Sequence, residues 1–312
     1  LKDYLFQEGF PSGLTSDFET DIFLNQRHLQ LQASSGWVSF QAINKKSKKI
    51  EALVHYHLEG SYAKSPYRSP YGSFAFSDGV TADSLSEFIN FTEEKLRSKG
   101  IKNIQLINSP EAYDQDKNQR LREVLLQLEY KIESEEIGTF IAITRHPFES
   151  ILHRSHQKKL KKCREEGFVF QFLSLDHLEE VYFFLKMVRE KKNYTLSMSF
   201  DELKKTTDQF PDNFLLSVVK DRETIAAANV SVRVNSRVLY NFYHDHLSLY
   251  DSVSPVVLLN EGLYEYCQQQ ECRLLDLGTS MINGKPDIPL VTFKSRLGGQ
   301  PTRKFTFVKN LS

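Results

Sequence analysis

Between Leu274 and Gly299 the chain reads LLDLGTSMINGKPDIPLVTFKSRLGG: an apolar run broken by Asp276, a loop carrying Asn283, Gly284 and two prolines, then a lysine, Lys294, directly after Phe293. A carboxylate inside an apolar strand can take a proton from an attacking amine or orient a hydroxyl, and it can equally cap the turn that follows. Ser280 and Asn283 are polar loop residues able to line an acceptor site. The histidines form two alternating pairs, His55 with His57 and His244 with His246. On strands each pair points to one face. A metal site would need further ligands at metal-binding spacing, and no Cys, Asp or Glu grouping supplies them, so no metal is expected.

These residues sit on a repeated order of elements. In the first half a helix is expected over Asp17 to Gln32, followed by strands WVSFQAIN and KIEALVHYHLEG, the segment YRSPYGSFAF, and a helix capped by Thr81 or Asp83. That helix carries Leu85, Phe88, Ile89 and Leu96 at helical spacing and stops at Gly100. Strand IKNIQLIN, helix NQRLREVLLQLEY and strand EIGTFIAIT complete the half. In the second half two helices, the latter with Asp201 near its start, precede strands NFLLSVVK, ETIAAANVSVRV and RVLYNFYHDH. Helix PVVLLNEGLYEYCQQQ, strand CRLLDLGTS, the LVTFKSRLG segment and strand RKFTFVKN follow. The expected fold is mixed α/β, duplicated, with a mostly antiparallel sheet flanked by helices in each copy. A basic helix, FESILHRSHQKKLKKCREEG, lies between the halves with Leu152, His156, Leu160 and Cys163 on one face. The predicted division is residues 1–145, a linker helix over 146–166, and 167–312.

The 312 residues, 40% apolar and 12% aromatic, suffice for two cores of about 150 residues each. Forty basic and forty acidic side chains cancel, so no global field draws the chain to DNA or an acidic polymer. Three scattered cysteines imply neither a disulfide scaffold nor a zinc site and point to a reducing, cytoplasmic setting. No apolar run approaches the ~20 residues that span a bilayer. Hydrolase triads and nucleotide-binding glycine loops are missing as well.

The element order, SPYGSF in the first half, the basic HRSHQKKLKKCREEG helix and the LLDLGTS…FKSRLGG ending resemble the FemAB-like branch of the GNAT acyltransferase superfamily, over nearly the whole chain. The resemblance implies two tandem GNAT-like domains and transfer of an acyl or aminoacyl group to an amine acceptor such as a cell-wall peptide precursor, in a cleft between the domains. The donor would be acyl-CoA or aminoacyl-tRNA, held by the second domain where RVLYNFYHDH and CRLLDLGTS splay apart. Lys294 would then steady negative charge on the donor or the tetrahedral intermediate, with Phe293 beside it; a surface lysine next to a core phenylalanine is the plainer reading. His244, beside Tyr243, becomes the candidate base on the strand bordering the groove. Tyr67, Tyr71 and Phe74 would face the acceptor. Donor phosphates would meet the start of PVVLLNEG, where Ser252 and Ser254 offer hydroxyls. The Arg/Gln-x-x-Gly-x-Gly/Ala run of acetyl-CoA-using relatives is missing from LSLYDSVSP, which puts ordinary coenzyme A binding in doubt. The basic helix could contact tRNA phosphates or simply be solvated. Two further readings remain open, a CoA-dependent N-acetyltransferase and a binding protein on a decayed GNAT scaffold.

Overall fold

Runs of β-branched and aromatic residues bounded by turns form the strands of the first half. The computed structural model describes residues 3–282 and 284–312, which places Asn283 outside the described residues. In chain order it contains β1 (Tyr4–Glu8), α1 (Gln26–Gln32), β2 (Trp37–Asn44), β3 (Ile50–Glu59), β4 (Tyr62–Ser65), β5 (Ala75–Phe76), α2 (Ala82–Ser98), β6 (Asn103–Ile107), α3 (Gln115–Gln127) and β7 (Lys131–Ala142). There follow α4 (Phe148–Ile151), α5 (Arg154–Glu165), β8 (Phe168–Leu173), α6 (Leu178–Lys191), α7 (Phe200–Gln209), β9 (Phe214–Asp221), β10 (Thr224–Asn235), β11 (Val238–His246), α8 (Pro255–Gln269), β12 (Leu274–Thr279), β13 (Met281–Ile282), β14 (Lys285–Pro286), α9 (Ile288–Arg296) and β15 (Gln300–Asn310).

The chain divides into two compact units: Leu1–Glu136 with Thr302–Ser312, and Ile137–Pro301. In the first, β1, β2, β3 and β4 pair antiparallel in sequence, β4 runs parallel to β6, and β15 closes the order antiparallel to β6. In the second, β8, β9, β10 and β11 pair antiparallel, β11 runs parallel to β12, and β7 closes antiparallel to β12. The two orders match strand for strand. This differs from a boundary at residue 145 followed by a linker. The last strand returns to the first unit, where Phe305, Phe307 and Leu311 join its core, and Ile141 of β7 joins the second core. The basic segment is no free-standing linker either: His153 caps α5 separately from α4, and Leu160 and Cys163 are fully buried in the second core.

Local signals explain the elements. Thr81 caps α2 by accepting the Ser84 N–H, and Leu85, Phe88, Ile89 and Leu96 are all buried against β2 and β3 residues such as Phe40 and Tyr56. The helix expected from Asp17 is cut to α1 because Asn25 caps at that point, its side chain accepting the Arg27 N–H. α7 starts with a capping box between Ser199 and Glu202 rather than at Asp201. Among the described residues no helix is long and apolar enough to cross a membrane.

Candidate active site

In the second unit, β11 and β12 stay together for only three residue pairs, Val238 with Leu274, Leu239 with Leu275 and Tyr240 with Asp276, although β11 continues to His246 and β12 to Thr279. Each strand carries an irregularity there. On β11, Val230 of β10 opposes Tyr243 and Ser231 opposes Asn241, so Phe242 is an unpaired bulge residue. The bulge turns its ring onto Tyr243, centroids 3.9 Å apart. A buried amide holds it in place: Asn229 Nδ2 donates to the Asn241 side chain and to the Tyr243 carbonyl, while Asn229 Oδ1 accepts from Ser231 and Ser217. On β12, Gly278 takes φ +72°, a left-handed conformation that glycine adopts without strain. Asp276 fixes this turn, its buried Oδ1 accepting the Gly278 N–H at 2.7 Å. Past that point no further β11–β12 pairs occur among the described residues, and such unpaired edges accept an extended ligand.

Lys294 is brought to this opening by both ends of α9. At its start Asp287 accepts the Leu290 N–H and donates its own N–H to the Ser280 carbonyl at 2.8 Å. At its end Gly298 takes φ +84°, Gly298 N–H donates to Ser295 and Gly299 N–H to Lys294, the paired bonds of a Schellman cap. A β-carbon at Gly299 would stand 2.6 Å from the Lys294 carbonyl oxygen, so the second glycine of RLGG is required by close approach. The Lys294 side chain is 3% exposed, and Nζ donates to the Thr279 carbonyl at 2.7 Å and the Gly278 carbonyl at 3.1 Å. An ammonium has three N–H groups, so one remains for a ligand. Burial pushes its pKa down to about 8, and the carboxylates of Asp276 and Asp287 partly oppose that. Lys294 is therefore no surface lysine.

The remaining predicted residues divide sharply. His244 lies on the same strand edge, where burial and then the Lys294 and Arg189 charges push its pKa down to about 3. Its Nδ1 is buried without a hydrogen-bond partner. A general base works best with a pKa near the operating pH, and here burial favours a neutral, weakly basic imidazole, so the role of base predicted for His244 gains no support from its surroundings. Tyr243 is buried, its hydroxyl bonded to Ser197 Oγ and the Met198 N–H and its ring 5.3 Å from the Arg189 guanidinium. It anchors that segment instead of offering a face to substrate. Ser280 is fully buried, its hydroxyl 3.5 Å from that of Thr139, and is withdrawn from any acceptor surface. Phe293 packs at the edge of the second core, 5.1 Å from the His156 ring. Ser252 is exposed just before α8. Ser254 is buried at its N-cap with φ +59° and donates its N–H to the Tyr250 carbonyl at 2.7 Å, so only Ser252 of the pair is open to phosphate.

Tyr67, Tyr71 and Phe74 all belong to the first unit. Tyr71 is buried and donates its hydroxyl to Asp21 at 2.6 Å. Phe74 packs edge-on to Tyr56 and Phe88 inside the core. Both are core residues, which corrects their placing on an acceptor surface; Tyr67, half-buried and stacked on His57 at 4.0 Å, keeps an exposed face. Sequence reasoning missed the Phe242 bulge and the Asn229–Asn241 pair, which leave no local signature. It also missed Tyr240, whose ring would contact a β-carbon at Gly278 at 3.4 Å. The Schellman cap was announced by Leu297-Gly298-Gly299.

No family model matches the chain, and no curated protein matches it in sequence. Solved structures do resemble it. FemX superposes with a TM-score of 0.72 over 94% of this chain and 92% of that one, at 10% identity. A conserved protein of unknown function from Bacteroides thetaiotaomicron gives 0.62 over 95% and 93%, at 8% identity. A tandem GNAT protein from the clavulanic acid biosynthesis pathway gives 0.52 over 88% and 83%, at 9% identity. The chain thus has the FemAB-like, tandem GNAT-type fold.

Proposed function

We propose that the second unit holds an activated acyl or aminoacyl group, as a thioester or ester, between the diverging ends of β11 and β12 and passes it to an amine. The amine nitrogen attacks the carbonyl carbon and forms the new C–N bond; the carbonyl oxygen becomes an oxyanion; collapse breaks the C–S or C–O bond, and the proton lost by the amine ends on the leaving thiol or hydroxyl. Lys294 supplies the free N–H and the positive charge that the oxyanion needs. Such a donor fixed in a water-poor site is worth about 3 kcal/mol to the transition state. Asp276 acts through Lys294, since its carboxylate sets the Gly278 turn whose carbonyl the ammonium grips. The observation carrying this reading is the parting of two parallel strands beside a buried lysine. The likeness to FemX and to a tandem GNAT protein supports the same class.

An aminoacyl ester of tRNA is the favoured donor. The entry to α8 has no glycine, and its Ser254 N–H is turned inward, which suits a compact diphosphate cradle poorly. Arg154 and Lys158 on the exposed side of α5 offer cations to phosphates, while Lys161 and Lys162 are partnered by Glu165 and Glu166 at 3.6 Å. The test is transfer of a labelled aminoacyl group to an amine panel, with calorimetry of acetyl-CoA alongside. Transfer should fall about a hundred- to a thousandfold in Lys294→Met, with the fold retained. Tight acetyl-CoA binding would move the assignment to a CoA-dependent N-acyltransferase, and no transfer from either donor class would leave a binding protein on this scaffold.

A further inference from the structure

The second unit contains a pair of thiols that the proposed transfer does not use. α8 ends in a Schellman cap: Glu271 takes φ +55°, its N–H donates to the Gln268 carbonyl at 3.3 Å, and the Cys272 N–H reaches back to the Cys267 carbonyl at 2.9 Å. In such a cap the two residues joined by the longer-range bond commonly touch through apolar side chains. Here both are cysteines. With standard bond lengths, the 2.9 Å bond keeps their α-carbons within about 7 Å of each other, the separation beyond which two cysteines cannot be bridged. Both side chains turn into the second core, Cys267 fully buried and Cys272 5% exposed, while Gln269, Gln270, Glu271 and Arg273 around them are exposed. The pair therefore lies directly beneath a surface turn.

Three cysteines share this core, and they are not equivalent. Cys163 is fully buried and donates its S–H to the Val253 carbonyl at 3.5 Å, and burial pushes its pKa up to about 12. Cys272 behaves in the opposite way. A hydrogen bond from the Cys267 thiol pushes its pKa down, against burial, and the Arg233 guanidinium adds to the effect; the same bond, with burial, pushes Cys267 up. The thiolate forms on the sulfur nearer to solvent, with its protonated partner behind it. We propose that Cys267 and Cys272 form a reversible disulfide when a peroxide reaches the end of α8. The Cys272 thiolate sulfur attacks one peroxide oxygen, the O–O bond breaks, and a sulfenic acid forms as the departing hydroxide takes up the proton that Cys272 released. The Cys267 sulfur then attacks the Cys272 sulfur, the S–O bond breaks, and the Cys267 proton leaves with the oxygen as a second water. Two thiols are oxidised to one disulfide, and one hydrogen peroxide is reduced to two waters. The bond clamps the end of α8 to the start of β12, and the proposal does not rest on the acyl-transfer reading.

The test exposes the unmodified protein to one equivalent of hydrogen peroxide, alkylates the remaining thiols with iodoacetamide in urea, and maps the tryptic peptides. No lysine or arginine separates the two cysteines, so the peptide of residues 238–273 carries both, and Cys163 falls on another. The expected product is that peptide without either alkyl group and two hydrogens lighter than its dithiol form. Dithiothreitol should restore both thiols, and the bond should form at least about tenfold faster than Cys163 is oxidised. Oxidised protein should unfold in urea at a midpoint no lower than reduced protein, because the cap already holds the two residues together. Cys267→Ala should leave a sulfenic acid on Cys272 that dimedone captures, and Cys272→Ala should leave Cys267 unoxidised. Both thiols still alkylated after peroxide would overturn the proposal, as would oxidation of Cys163 at an equal rate or a midpoint lowered by the bond. Should either variant fail to fold, the peptide map and the midpoint of the unmodified protein decide alone.

Discussion

The same parallel strand pair occurs once in each unit, and only one of the two is open. In the first unit β4 is four residues long and pairs with β6 along its whole length, from Tyr62 with Asn103 to Ser65 with Leu106. The chain then loops back over the strand ends: Gly72 N–H donates to the Ile107 carbonyl at 2.9 Å and Ser73 N–H to Ser65 Oγ at 2.9 Å. A β-carbon at Gly72 would stand 2.7 Å from the Pro66 nitrogen, so the SPYRSPYGSF loop fills the place where a ligand would enter. In the second unit the pairing stops at Tyr240 and Asp276, and a buried ammonium stands at the end of β12. One topology therefore gives a plugged and an unplugged version, and the chemistry is assigned to the unplugged one.

Two glycines, one in each unit, can break this comparison. Gly299→Ala would push a β-carbon against the Lys294 carbonyl at 2.6 Å and Gly72→Ala one against the Pro66 nitrogen at 2.7 Å. Each should lower stability by about 1–3 kcal/mol through overpacking, measurable by urea unfolding. Only Gly299→Ala should also damage transfer, by about a hundredfold, because it displaces the lysine that α9 positions. Equal activity losses in the two variants would mean that the plugged and open pairs do not differ in function.

A smaller effect concerns pH. With the Lys294 pKa held at about 8, transfer should decline above that pH by about tenfold per unit as the ammonium loses its charge. Stability should move the other way. Between about 8 and the unfolded value of about 10.4 the unfolded chain binds more protons at this site, so the folded state gains stability as pH rises through that window. Lys294→Met should flatten both profiles; an unchanged alkaline limb in that variant would detach the limb from Lys294.

Most of the strand and helix order could be read from the sequence because periodicity and caps are local. Leu85, Phe88, Ile89 and Leu96 announce α2, and they are the apolar part of its buried face. The Phe-Lys pair was legible as a candidate, as was the interruption of an apolar strand by Asp276. What makes them a site was not. Lys294 is fixed by partners in three separate segments, the Gly278 turn, Ser280 through Asp287, and the closing glycines, and no single window contains that geometry. Alternation along β11 also misleads, because the unpaired Phe242 shifts every later side chain to the other face. Tyr71 and Phe74 show the converse: three aromatics close in sequence suggested a substrate surface, whereas two of them fill the core of the plugged unit.

The smallest expected change carries the finest distinction, between Asp276 as proton acceptor and Asp276 as the clamp on the Gly278 turn. Asn keeps an Oδ1 able to accept the Gly278 N–H, so Asp276→Asn should preserve the turn and hold transfer within about threefold of the parent if clamping is its role, a change of under 1 kcal/mol. Asp276→Ala removes the acceptor, leaves the N–H unpaired beside the lysine, and should cost about 1–3 kcal/mol of stability along with most of the transfer. A proton-accepting carboxylate predicts the opposite ranking for Asn, with activity lost while stability holds, since an amide cannot take up a proton at neutral pH. The single-turnover rate of Asp276→Asn, set beside its urea midpoint, separates the two roles, whereas in the first unit the corresponding strand ends are bridged by the Ser73 N–H to Ser65 Oγ and Gly72 N–H to Ile107 carbonyl bonds.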